Sequence, residues 1–107
     1  MKTDMWKRKT SRADSRPTRE RMCGIWRSRL DRHTILRIYG KDGEYYFEEH
    51  RGNPVNGHIK IVRWRLVEDE GGNLVLDGIE EPVAYDTRHD RIITLHYGTY
   101  KRLKGAL

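Results

Sequence analysis

Met22-Cys23-Gly24-Ile25-Trp26-Arg27-Ser28 closes a charged leader and opens a patterned body. Gly24 can take backbone conformations that other residues resist. Trp26, two positions on, carries a ring large enough to demand burial. From Trp26 to Tyr100-Lys101-Arg102 the chain runs in short stretches of alternating apolar and polar residues, the period of half-buried strands. Before it, Pro17 suits the first turn of a helix. A short helix over Thr18 to Cys23 would end at a left-handed Gly24 cap.

Working outward from Trp26, Ile25 to Leu30 puts Trp26, Ser28 and Leu30 on one face, with Arg27 and Arg29 opposite. Thr34 to Tyr39 gives a second strand facing inward with Leu36 and Ile38. Gly40-Lys41-Asp42-Gly43 marks a hairpin, and Glu44 to Glu49 follows with Tyr45 and Phe47 on its apolar side. His50 to His58 is rich in turn formers and reads as a long, mobile rim loop. Ile59 to Val67 is the longest strand, with Val62, Trp64 and Leu66 inward. Leu74 and Leu76 mark a fifth strand and Pro82 to Tyr85 a sixth. Arg91 to Tyr97 is the seventh, with Ile93 and Leu95 on one side, and Thr99 to Leu103 the eighth. Short strands at this spacing, each joined by a turn, predict an all-β fold: a small antiparallel meander barrel of about eight strands with a short N-terminal helical turn. Closure is favoured because it removes exposed sheet edges.

The chain has 107 residues, with apolar and charged fractions both 36%, which suits one domain with a thin core. Its net charge of +6 is uneven. Residues 1–21 hold eight basic side chains (Lys2, Lys7, Arg8, Lys9, Arg12, Arg16, Arg19, Arg21) against three acids, and the remainder is almost neutral. Residues 1–16 are expected to be a flexible basic arm, followed by a barrel domain over 17–107. Such an arm is either a solvated tail or a contact for nucleic acid. No run of eighteen apolar residues occurs and the leader has no apolar signal core, so no membrane partner and a cytoplasmic location are expected. The single Cys23 leaves no internal disulfide.

Gly24-Ile25-Trp26 is similar to the Gly-x-Trp signature of lipocalins and related calycins. Asp90-Arg91-Ile92-Ile93-Thr94-Leu95 and Gly98-Thr99-Tyr100-Lys101-Arg102 resemble the closing strands of bacterial lipocalin-like domains. The resemblance covers about residues 22–103. It implies that Arg102 lies across Trp26 and closes the barrel base beside Gly24. Antiparallel pairing of first and last strands brings those positions to one end, so the Arg102 guanidinium is expected within about 6 Å of the Trp26 ring. The chain also resembles an uncharacterised bacterial family carried on conjugative transposons, which implies an accessory protein of a mobile element.

Signs of chemistry are sparse. His33, His50, His58, His89 and His96 lack the spacing of a structural zinc site, and one cysteine cannot supply the missing ligands. Glu48-Glu49 and Glu80-Glu81 are adjacent, so on a strand each pair divides between faces and forms no acid–base site. Cys23 has no local base and reads as a small apolar residue. Gly71-Gly72 lies in an acidic turn unsuited to phosphate. Neither an enzyme, a metal nor a cofactor is expected. Tyr45, Phe47, Trp64 and Tyr85 either fill a small interior or line a cup for an apolar ligand. Arg27, Arg29, Arg37, Arg63 and Arg65 either form a basic stripe or pair across strands with Glu44, Glu48 and Glu68. The expected function is a non-catalytic binding module for a small apolar ligand or a protein segment at the barrel mouth. The alternative is a nucleic-acid-associated accessory protein using the arm.

Overall fold

A computed structural model describes residues 15–103. One helix, α1 (Arg16–Met22), precedes eight strands: β1 (Gly24–Ser28), β2 (Thr34–Lys41), β3 (Glu44–Gly52), β4 (Ile59–Glu68), β5 (Leu74–Leu76), β6 (Glu81–Asp86), β7 (Arg91–Thr94) and β8 (Thr99–Arg102). They form a closed, all-antiparallel meander barrel in sequence order, as the alternation predicts. Closure is made by β1 and β8, with Trp26 directly opposite Arg102 and Ser28 opposite Tyr100.

The β2–β3 connection is the two-residue turn Asp42-Gly43, both at positive φ (53° and 82°). That geometry matches the right-handed strand twist and explains the Asp-Gly pair. The interior is packed with Trp26, Leu36, Ile38, Phe47, Leu66, Leu76, Ile92 and Tyr100, each almost fully buried. Met22 carries α1 onto the same core.

Several expected boundaries move. Ser15 is buried and its hydroxyl donates to Glu68 Oε1 at 2.7 Å, so the packed body reaches two residues before Pro17; residues 1–14 of the expected arm lie outside the described residues. The helix begins at Arg16 and its C-cap is Cys23 in an extended conformation, not Gly24. Gly24, at φ 147°, already belongs to β1. Leu30 has left β1 and is exposed. β3 continues through His50 and Arg51 to Gly52, laddered to Ile61, Lys60 and Ile59. The expected long loop therefore shrinks to residues 53–58. Two polar pairs carry this extension: His50 bonds Glu48 on the outer face and Arg51 bonds Glu49 on the inner one.

β7 reverses phase. Ile92 and Thr94 point inward, while Ile93 and Leu95 are exposed. Consecutive Ile92-Ile93 gives alternation no preferred phase. Register decides it, because Ile92 sits between the inward Tyr85 and Tyr100. β7 also ends at Thr94, since its N–H and hydroxyl both bond the Gly98 carbonyl and turn the chain. His96 thus lies in a turn, not on a strand.

Candidate functional site at the open end of the barrel

A meander puts alternate connections at the same end. α1 and the turns at 42–43, 69–73 and 87–90 occupy one end, and the connections at 29–33, 53–58, 77–80 and 95–98 the other. The two ends differ in kind.

The first end is sealed. The Arg102 guanidinium carbon lies 4.2 Å from the centroid of the Trp26 ring. Its Nη1 donates to the Cys23 carbonyl at 2.9 Å and its Nη2 to the Arg21 carbonyl at 2.8 Å. Its Nε and Nη2 bond the Asp90 carboxylate at 2.8 and 3.1 Å. These carbonyls are among those a helix leaves unbonded at its C-terminus. Trp26 Nε1 takes another, from Met22, at 3.0 Å. A Cβ on Gly24 would stand 2.5 Å from Arg102 Nη1, which is why glycine occupies that position. The hydrogen bond to Asp90 raises the Arg102 pKa further, so the plug is permanently charged.

Tyr45 and Tyr85 belong to this end. Tyr45 donates to Glu20 of α1 at 3.1 Å and Tyr85 to Asp90 at 2.7 Å. Tyr85 also meets Trp26 edge-on at 6.2 Å. Phe47 is fully buried against Trp64 and Tyr100. All four side chains named for a ligand cup are therefore part of, or packed on, the hydrophobic core. Only Trp64 reaches toward the open end, where its ring lies 6.3 Å from Tyr97.

The open end has a polar floor. Glu49 points into the barrel and is 3% exposed. It accepts from Arg51 Nε and Nη2 at 2.9 and 2.6 Å, and from the Tyr100 hydroxyl. Burial, then the Glu49 bond, pushes the Tyr100 phenol far above its ordinary pKa, so it is a fixed donor. Glu81, also buried, accepts the His96 N–H at 2.5 Å and faces His96 Nδ1 at 2.7 Å. Burial works to raise the Glu81 pKa, but the His96 bonds outweigh it and hold the carboxyl below its usual range. A depressed folded pKa adds stability above the unfolded value, near 4.3, and loses it as pH falls through the folded one. Melting temperature should therefore drop as pH is lowered below about 4.5. Glu81→Gln should flatten part of that drop in a pH series of thermal melts.

Above this floor stands an apolar rim. Val55 (92% exposed), Leu30 (76%), Leu95 (68%), Ile59 (64%) and Ile61 (58%) all lie at this end, with Ile79 and Tyr97. Ile93, the remaining exposed large apolar residue among those described, lies next to this end on the outer face of β7, in one groove with Leu95. The opposite end turns with Asp42-Gly43, Asp69 to Asn73 and Thr87 to Asp90, all polar or glycine. Contiguous exposed apolar surface marks a contact site.

The wall beside this rim is incomplete. β4 pairs with β5 only over Leu66, Val67 and Glu68, extended by Asp77 N–H to the Arg65 carbonyl at 2.9 Å. Asp69 N–H and the Arg65 carbonyl face the β5 side. By the two-residue alternation of an antiparallel ladder, so do the backbone groups of Ile59, Ile61 and Arg63. Among the described residues no backbone hydrogen bond meets them there.

The expected basic stripe divides. Arg37, Arg63 and Arg65 have acids: Glu48 lies 3.6 Å from Arg37 and 3.9 Å from Arg63, and Arg65 bonds Asp77 at 2.5 Å and approaches Glu44 at 3.8 Å. Among the described residues Arg27 and Arg29 have none. His50 is held by Glu48 at 2.8 Å, and the described residues contain no group of His, Cys, Asp and Glu suited to a metal. Burial, then Glu20, raises the Cys23 thiol pKa, which opposes a thiolate nucleophile. No described helix is long and apolar enough to cross a membrane.

Sequence reasoning missed Glu49, Arg51, Tyr100, Glu81 and His96 as a group. The only local hint was a Tyr in phase with Arg102 and a Glu in phase with Phe47. Comparison with known proteins finds no matching family model, and no curated protein or solved structure that is significantly similar.

Proposed function

We propose that this protein is a non-catalytic binding module whose open barrel end captures an extended protein segment by strand addition to β4. The observation that carries this reading is the unladdered backbone of Ile59, Ile61 and Arg63 beside the exposed apolar rim. Strand addition draws affinity from such backbone groups and specificity from alternate side chains. The large side chains buried inside the barrel, among them Trp26, Phe47 and Tyr100, favour this occupant over a small apolar ligand held there. The lipocalin-like reading enters here in reduced form: a calycin-type barrel with a plugged base and a mouth that presents a wall rather than a cup.

Charge points to the partner's chemistry. Lys60 is exposed and has no ion pair among the described residues, while Arg63 and Arg65, farther along the same strand, have Glu48 and Asp77. Two copies pairing along β4 would set these cations against each other, which is unfavourable. An extended segment with apolar residues at alternate positions and acids between them fits instead.

A residue-specific test exists. The Ile61 N–H faces the free edge, so proline there removes no bond to β3 and should leave the fold intact. Titration of labelled protein with a synthetic Asp-Val-Glu-Ile-Asp-Val peptide should shift the amides of Ile59, Ile61 and Arg63 and slow their hydrogen exchange. Ile61→Pro should weaken binding about two- to tenfold, the loss of roughly one net hydrogen bond to the partner, while Ile61→Thr should not. Unchanged affinity in the proline variant, or shifts confined to the other end, would sink the proposal.

A further inference from the structure

On the far side of the barrel from β4, the outer face of β1, β8 and β7 carries a row of like charges. Arg27 on β1 lies directly opposite Lys101 on β8, and Lys101 lies directly opposite Arg91 on β7. All three point outward, because their neighbours Trp26, Ser28, Tyr100 and Ile92 are buried inside. Arg29 follows on the same face and donates its N–H to the Thr99 carbonyl at 2.9 Å, which prolongs the β1–β8 seam. A shallow groove runs along it, lined by Arg27, Ser28, Arg29, Lys101, Arg102 and Leu103.

No acid among the described residues neutralises this row. Among the described residues, no ion pair involves Arg27, Arg29, Arg91 or Lys101. Asp86 lies opposite Arg91 at the end of the row, but its carboxylate is taken by His89 Nδ1 at 2.9 Å and by the N–H groups of Arg88 and His89. Asp90 is taken by Arg102. Three outward arginines on the other side of the barrel differ, since Arg37, Arg63 and Arg65 each have a carboxylate within 4 Å. Like charges directly opposite across strands are destabilising. A local rule broken without internal compensation is characteristic of a functional surface.

We infer that this face binds the phosphate backbone of duplex nucleic acid, independently of sequence. The outward residues on these strands are Ile25, Arg27, Thr99, Lys101, Arg91 and Ile93, so cations are present but no aromatic platform on which bases could stack. Contacts of this kind position a duplex without reading it. The site is separate from the β4 edge, so either reading can fail alone.

The test uses the full chain and a fluorescein-labelled random 20-base-pair DNA duplex, read by anisotropy between 50 and 200 mM salt. Four phosphate contacts from this face predict a contribution of about 3–4 to the slope of log affinity against log salt. The charge reversal Arg27→Glu with Lys101→Glu should cut affinity at least about tenfold at 100 mM salt and lower that slope by about 2. Because it also relieves repulsion, Lys101→Glu alone should raise the melting temperature by about 1–6 °C, which excludes misfolding as the cause of lost binding. Equal affinity for two unrelated duplex sequences would support backbone binding. Unchanged affinity and slope in the double variant, tighter binding to a single strand of equal length, or charge-sensitive binding only to phosphatidylserine vesicles would overturn the inference.

Discussion

Arg102→Ala should lower stability by about 2–4 kcal/mol, a fall of about 10–20 °C in melting temperature. The substitution removes four interactions together. It leaves the Asp90 carboxylate without its fork, frees the Cys23 and Arg21 carbonyls at the end of α1, and uncovers one face of Trp26. The stacking contact contributes about 0.5–2 kcal/mol and the charged hydrogen bonds the rest. Arg102→Lys should recover less than half, because an ammonium cannot bridge a carboxylate and two carbonyls in one plane. Gly24→Ala should reproduce much of the loss, since its Cβ would displace Nη1. Combined with Arg102→Ala its cost should be smaller than additive, as expected for groups in contact. Thermal melts of the four proteins provide the measurement. A fall below about 3 °C for Arg102→Ala, well under 1 kcal/mol, would show that the plug does not close the barrel.

Glu49→Ala should cost a similar amount, about 2–4 kcal/mol, at the opposite end. The Tyr100 hydroxyl would be left buried without its acceptor and Arg51 without its partner. Tyr100→Phe should cost only about 1 kcal/mol, because the two Arg51 bonds still hold Glu49. The double variant Glu49→Ala with Tyr100→Phe should cost less than the sum of the two, since the stranded hydroxyl is gone. Replacing Glu49, Arg51 and Tyr100 together by Leu, Met and Phe should recover most of the stability, as apolar replacement of buried ion pairs often does. Denaturant titrations can check the series. If that apolar triple variant is stable and still captures the test peptide, the polar floor serves neither stability nor recognition.

The sequence by itself determined the local features. Strict alternation placed Trp26, Leu36, Ile38, Phe47 and Leu66 inside, since a strand turns successive side chains to opposite faces. Asp42-Gly43 fixed its hairpin because few residues accept positive φ in succession. The meander order followed from turns too short for any other connection, and the closing pair Trp26 and Arg102 followed from the resemblance together with antiparallel closure. Tertiary structure decided whatever required partners remote in sequence. Ile92 rather than Ile93 turned inward because β6 and β8 set the register of β7. β3 ran on to Gly52 because β4 was there to ladder it. Glu49 could be buried only where Tyr100, fifty-one positions away, met it, and no window along the chain contains both. The apolar rim and the Arg27–Lys101–Arg91 row are likewise sums over separate strands, each unremarkable alone. Alternation is a property of neighbouring residues, whereas register, closure and charge pairing belong to the assembled barrel.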